Sequence, residues 1–383
     1  MNEDDQQRLS SSRSAKDIDS LTELADRLVR DGDLHAAAIT FDRAYGLNPS
    51  HSVIAQRRAA VLDQLSVNEN GIQFRYIPGG AFLMGSIFGD PDELPVHEVQ
   101  LSHYWLSETP ISWAMFCRVL GWEPPPQGVP PQSPAPQPAK GFDRERFQLV
   151  NDNKICLQYC EDRTLRARDW HAHFPTANIE QQKKHFGTLN RSNPDADFSY
   201  ETKPMVSVRF AGAEKFCAAL PHGIPLAVKY RLPTEAEWEK AACGGLIENI
   251  YPWGNEPPTD QNCDFNRFKD FSIRPMKSFP PNSYGLYGMS GGVWEWTSDW
   301  YDAAYYAESP SNSPLGPPRG TFRVVRGGSW ADCAEAVTVS FRMTLSDENS
   351  PSATNPNVGF RVCRCLPTAT DNDLKPGHLA RLF

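Results

Sequence analysis

The chain has 383 residues, 40% of them hydrophobic. That exceeds the ~250–300 residues at which a single core stops growing, so one large domain and a smaller appendage are expected. A formal charge of -9 and a pI near 5.5 leave no cation surplus to neutralise a phosphate backbone, which excludes nucleic acid as a partner.

Residues 1–20 are polar, begin acidic and contain no apolar core of a secretory leader. No later run is apolar enough to span a bilayer, so no membrane partner is expected. Nine cysteines without a regular framework fit thiols in a reducing cytoplasm. Residues 1–16, polar throughout, are read as a disordered N-terminus.

Residues 17–66 carry a helical pattern. Leu21, Leu24 and Leu28 recur at helical spacing, Gly32 and Asp33 break the run, and Ala37, Phe41 and Ala44 precede Pro49. The segment DGDLHAAAITFDRAYGLNP resembles one tetratricopeptide repeat, and Val53–Leu65 reads as a further helix over it. A single repeat leaves its apolar face uncovered. A hairpin packed on its own chain and a partner-recruiting module both satisfy the pattern.

From Gly71 the pattern shortens into strands and turns. Phe74–Ile77 alternates, Pro78-Gly79-Gly80 turns, and Phe82–Gly85, His97–Leu101 and Trp105-Leu106 continue the strand pattern. Ser112 is a candidate N-cap for a helix over the following residues. A second helix is expected after Pro204–Val208, and a third near Thr234 and Glu237, which have capping-box spacing. The proline-rich run EPPPQGVPPQSPAPQPAK opens an insertion over 123–202 and predicts an exposed extended loop. Its second part, with Cys156, Cys160, Trp170, His171 and His173, is expected to pack.

Seven blocks stand in order: IPGGAFLMGS (77–86), ELPVHEVQLSHYWLSETPIS (93–112), YRLPTEAEWEKAA (230–242), YPWGN (251–255), FPPNSYGLYGMSGGVWEWTSDW (279–300), RVVRGGSW (323–330) and NVGFRVCR (357–364). Together they resemble the formylglycine-generating enzyme, or sulfatase-modifying factor, superfamily. The resemblance implies an α+β domain of C-type-lectin-like topology over 71–366, low in regular secondary structure, behind a small N-terminal helical hairpin. Residues 367–383 would be a tail. Trp253, Trp294, Trp296 and Trp300 are expected to supply the apolar area that small sheets cannot.

In that family the segment after the RGGS-aromatic block carries two cysteines that bind copper(I), activate oxygen and oxidise a substrate cysteine. In ungapped register those positions fall on Asp332 and Val337. Cys333 lies one residue away, and Thr338 stands where its mate would be. Soft thiolates suit copper(I), so no copper is expected here. The family's structural calcium would fall on Asp264 and Phe265, and on Gly292, Val293 and Glu295, although Gly292 replaces an asparagine. The resemblance also implies a substrate cleft along Trp330–Asn357. Trp330, Asp332, Cys333, Arg342 and Asn349 line it as candidate ligand-binding residues, while Ser346 and Ser352 replace a family arginine and aspartate.

Other metal sets are thinner. His171, His173 and Glu180 have the composition of a two-histidine, one-carboxylate iron site, and the iron-binding helical domain of sulfoxide synthases finds only His35 and His51 here. Cys156 and Cys160, or Cys363 and Cys365, fall short of the four ligands of structural zinc. The resulting expectation is a non-catalytic or regulatory module that binds a protein or peptide. A metal-dependent oxidoreductase using another site is the first alternative, and a lectin-like ligand-displaying variable protein the second.

Overall fold

In the computed structural model, residues 3–120, 202–206, 208–221, 228–267, 273–346 and 357–366 are described, with side chains from residue 16 onward except those of 113 and 117. The insertion up to residue 201, the tail 367–383 and Asn349 lie outside the described residues.

Three helices lead: α1 (Glu3–Arg30), α2 (Leu34–Leu47) and α3 (Ser52–Leu65). The disordered segment expected over 1–16 is corrected, because α1 already runs from Glu3. Residues 3–30 contain neither proline nor glycine, acidic residues open the helix and Arg27 and Arg30 close it, which suits its dipole. Gly32, at φ 83°, then turns the chain where a side chain would be strained.

The helices lie against the rest of the chain. Arg58 of α3 is 1% exposed and clamps Asp42 of α2 through Nε at 2.9 Å and Nη2 at 2.7 Å. Its remaining N–H groups donate to Ser283 O and Gly244 O, and Tyr284 Oη donates to both Asp42 oxygens at 3.0 and 2.9 Å. A Cβ on Gly245 would stand 2.6 Å from Arg58 Nη2, so only glycine admits the clamp. Of the two readings of the helical pattern, this geometry is a hairpin packed on its own chain.

Strands β1 (Val67–Glu69), β2 (Ile72–Ile77), β5 (Tyr104–Ser107), β6 (Lys229–Arg231) and β11 (Cys363–Cys365) form one sheet in the order β1-β2-β5-β11-β6. Its register sets Tyr76 beside Trp105, Trp105 beside Arg364 and Arg364 beside Tyr230 in one row. A second sheet joins β7 (Trp294–Trp300), β8 (Phe322–Arg326), β9 (Met343–Ser346) and β10 (Val358–Phe360) in the order β10-β7-β8-β9. Strands β3 (Gly80–Met84) and β4 (His97–Leu101) pair separately. Helices α4 (Trp113–Val119), α5 (Phe210–Ala219), α6 (Glu235–Cys243) and the short α7 (Tyr305–Glu308) are the remaining described α-helices, with 3-10 turns at Pro91–Glu93 and Ala334–Val337.

The predicted caps are present. Ser112 Oγ accepts Met115 N, and Thr234 and Glu237 satisfy each other's backbone N–H groups at 3.1 and 2.8 Å. Trp294 and Trp296 are buried with Trp238 and Trp330, whereas Trp253 and Trp300 are only half-buried.

Beside α2, His35 stacks on His103 with centroids 4.5 Å apart, and its Nδ1 lies 2.8 Å from Tyr76 Oη. Burial, with His35 adjacent, pushes the His103 imidazole down from 6.5 to about 4. A depressed histidine favours the neutral fold, so its contribution is complete above about 6.5 and drains as pH falls towards 4. Urea midpoints measured between pH 7 and 4 should therefore fall, and less steeply in His103→Phe. Arg58→Met should cost about 3–5 kcal/mol in urea unfolding, since it strands Asp42 against the protein. Limited proteolysis of that variant should release α1–α3 first.

Candidate functional site

The segment after β8 turns on Gly327 and Gly328. A Cβ on Gly328 would lie 2.5 Å from Val337 Cγ1, so this close approach requires glycine. Trp330 follows, fully buried, with its N–H donating to Gly292 O at 3.0 Å and its O accepting Arg267 N at 2.8 Å. The loop's position is thus set by two distant stretches of chain, around Arg267 and Gly292.

Asp332 lies in the first family copper position. Its Oδ2 accepts Ser329 N at 3.0 Å and the Ser329 hydroxyl, and Asn357 Nδ2 donates to Ser329 Oγ at 2.9 Å. Burial raises the Asp332 carboxyl above its ordinary range, against those hydrogen bonds. Val337, in the second position, is fully buried in a small cluster with Tyr251 and Cys263. Two hard oxygens and a hydrocarbon thus stand at the two positions where soft sulfur is needed for copper(I).

Cys333 is an exposed free thiol whose hydrogen bond holds the Glu335 carboxyl below its usual range. Thr338 Oγ1 accepts Phe341 N at 3.2 Å. Cys263, which sequence reasoning passed over, lies in Val337's cluster because residues 263–265 run beside the Gly291 turn. Its thiol donates inward to Ser290 O at 3.3 Å, and burial pushes its pKa up, so it is held as a thiol. No local sequence signal reports that proximity.

Two expected cleft residues serve the interior instead. Trp330 has no exposed surface. Arg342 has a buried side chain that donates to Glu235 through Nε at 2.8 Å and Nη2 at 3.1 Å, and to Asp92 O through Nη1 at 2.7 Å. A guanidinium enclosed by carboxylates has little left for a ligand, so both assignments are corrected. Asp332 and Cys333 remain together at the loop's surface.

The calcium sets do not fit calcium. Glu295 has no exposed surface, and Arg361 Nε lies 2.8 Å from both its oxygens while Trp238 Nε1 donates to Oε2 at 2.7 Å. Asp264 accepts Arg267 Nη1 at 2.6 Å and Arg274 N at 3.2 Å. Gly292 O is taken by Trp330 N, Gly292 N and Val293 N donate to Asp264 O and Gly291 O, and Phe265 packs against the Tyr251 cluster. Guanidinium groups supply the positive charge that a calcium ion would bring. Among the described residues, no three His, Cys, Asp or Glu side chains converge as metal ligands. His35 stacks on His103, His51 caps α3, and Cys363 and Cys365 belong to β11. His171, His173, Glu180, Cys156 and Cys160 lie outside the described residues.

This combination of small sheets, buried tryptophans and a loop hung from an RGGSW turn defines a formylglycine-generating-enzyme-like, C-type-lectin-like fold. Residues 61–366 match the sulfatase-modifying factor enzyme 1-like domain. The chain belongs to that family. It is 32% identical over 322 residues to the formylglycine-generating enzyme of Streptomyces coelicolor, covering 79% of this chain and 91% of that protein. It is also 36% identical over 169 residues to the inactive C-alpha-formylglycine-generating enzyme 2 of Bos taurus, covering 41% of this chain and 49% of that protein. PvdO from Pseudomonas aeruginosa superposes with a TM-score of 0.52 at 19% identity, over 79% of this chain and 98% of that structure. Among the described residues, no helix is long and apolar enough to cross a membrane.

Glu295→Gln should cost about 3–5 kcal/mol, because it leaves Arg361 charged and uncompensated in the core. The same loss should appear in urea unfolding with added calcium and with chelator.

Proposed function

We propose that this chain is a non-catalytic, regulatory member of its family that binds a protein or peptide partner. The observation that carries the reading is Asp332, whose carboxylate accepts the Ser329 N–H and hydroxyl in a position the family reaction gives to a copper-binding thiolate. Val337 at the second position offers no donor. Cys333 is an exposed thiol, and among the described residues no three His, Cys, Asp or Glu side chains converge as metal ligands. Oxygen activation by thiolate-held copper(I) therefore lacks its ligands, while the scaffold that shaped the cleft persists. One bovine relative is itself named inactive.

Binding fits what remains. The loop behind Trp330 is fixed by backbone bonds to Gly292, Arg267 and Asn266, and a surface held this rigidly loses little entropy when it meets a partner. The test is oxygen uptake by the purified chain supplied with copper(I) and a cysteine-containing peptide. Uptake should not exceed that of Cys333→Ser, and copper(I) should be retained no more tightly by the parent than by that variant. Robust Cys333-dependent turnover would overturn the reading, and stoichiometric iron in the purified chain would favour an oxidoreductase using another site.

A further inference from the structure

We propose that the loop Gly85–Asp90 is a docking prong that inserts Ile87 and Phe88 into an apolar socket with a basic rim on a partner protein. The proposal rests on the protein-binding reading above and names where and how that partner is held.

Ile87 and Phe88 are adjacent, 70% and 79% exposed, and Leu94 nearby is 41% exposed. Leaving such side chains in water forgoes about 1.5–3 kcal/mol each relative to burial. An unconstrained loop could fold them back, but this one is fixed at both ends. Gly85 N donates to Glu239 Oε1 at 2.7 Å, Ser86 N to Glu93 O at 3.2 Å and Phe88 N to Ser86 Oγ at 3.1 Å. On the return, Asp90 N donates to Glu93 Oε1 and Glu93 N to Asp90 O, both at 2.9 Å.

Glu93 is the peg. It is 1% exposed, and both glycines press against it: a Cβ on Gly85 would meet Glu93 O at 2.3 Å, and one on Gly89 would meet Glu93 Oε2 at 1.9 Å. Asp92, beside it, receives Arg342 Nη1 on its carbonyl at 2.7 Å and Tyr301 Oη on its carboxylate at 2.8 Å. The prong is thereby rooted on Arg342, a residue of the family cleft segment. Rigid apolar projection of this kind is preorganised for burial elsewhere.

Charge selects the class of partner. Residues 76–112 contain no lysine or arginine, and Asp90 and Glu98 are exposed with Asp92 half-exposed. An acidic collar is repelled by an anionic lipid surface. A second copy of a chain carrying -9 would bring like charge to like. A protein socket ringed by lysine or arginine satisfies both the apolar tip and its collar.

The experiment is a random-peptide display selection on the intact chain, followed by affinity measurements on enriched peptides. Enriched peptides should carry apolar residues flanked by lysine or arginine. Phe88→Ser should weaken them about tenfold or more, Asp90→Lys with Glu98→Lys should weaken them and flatten their salt dependence, and Ile247→Ser, at another exposed apolar site, should not. Peptides that bind but ignore Phe88→Ser would sink the prong while leaving the protein-binding reading standing. Failure to enrich any sequence would count against both. Phe88-dependent binding to phosphatidylserine vesicles, or Phe88-dependent dimerisation in ultracentrifugation, would replace the basic-rimmed partner with a membrane or a second copy.

Discussion

Arg326 has no exposed side-chain surface, and the geometry around the segment after the RGGSW turn depends on how its charge is held there. Its guanidinium donates to Glu239 and to the carbonyls of Val339, Ser340 and Phe341 at 2.8, 2.6 and 2.9 Å. One cation therefore joins helix α6 to the stretch that follows the RGGSW turn. A charge out of water must be surrounded in this way, and the surrounding groups lose their freedom in return. Arg342 extends the arrangement to Glu235 and to Asp92, so the cleft segment, α6 and the Gly85–Asp90 loop share one ionic frame.

The same frame accounts for how the family fold is held together. Glu295 with Arg361, and Glu235 and Glu239 with Arg342 and Arg326, are enclosed pairs that hold strands and helices in place. None of them needs the residues at 332 or 337. Asp332 accordingly takes its hydrogen bonds from Ser329, and Val337 packs in a small apolar cluster, apart from those pairs.

The N-terminal helices follow the same physics. Helix α3 packs on β2, and Arg58 supplies one further enclosed charge that reaches Ser283 and Gly244 across the boundary. Trp105 Nε1 donating to Leu65 O at 2.7 Å closes the junction. The helices are covered by their own chain along this side.

Much of the architecture was legible along the chain because its signals are local. Capping at Ser112 and Thr234, the strand alternation of Phe74–Ile77 and the ordered blocks that mark the family all operate within a few residues, and the structure realises each of them. The loss of both copper thiolates was equally readable, since it concerns the identity of residues at 332 and 337. The roles of charged residues were not. Nothing near Glu295 announces Arg361, nothing near Arg342 announces Glu235 and Asp92, and nothing near Val337 announces Cys263. Whether a carboxylate binds calcium or a guanidinium, and whether an arginine meets a ligand or a core, depends on partners tens or hundreds of residues away. Only the folded chain, which brings those partners within hydrogen-bonding distance and excludes water from between them, decides it.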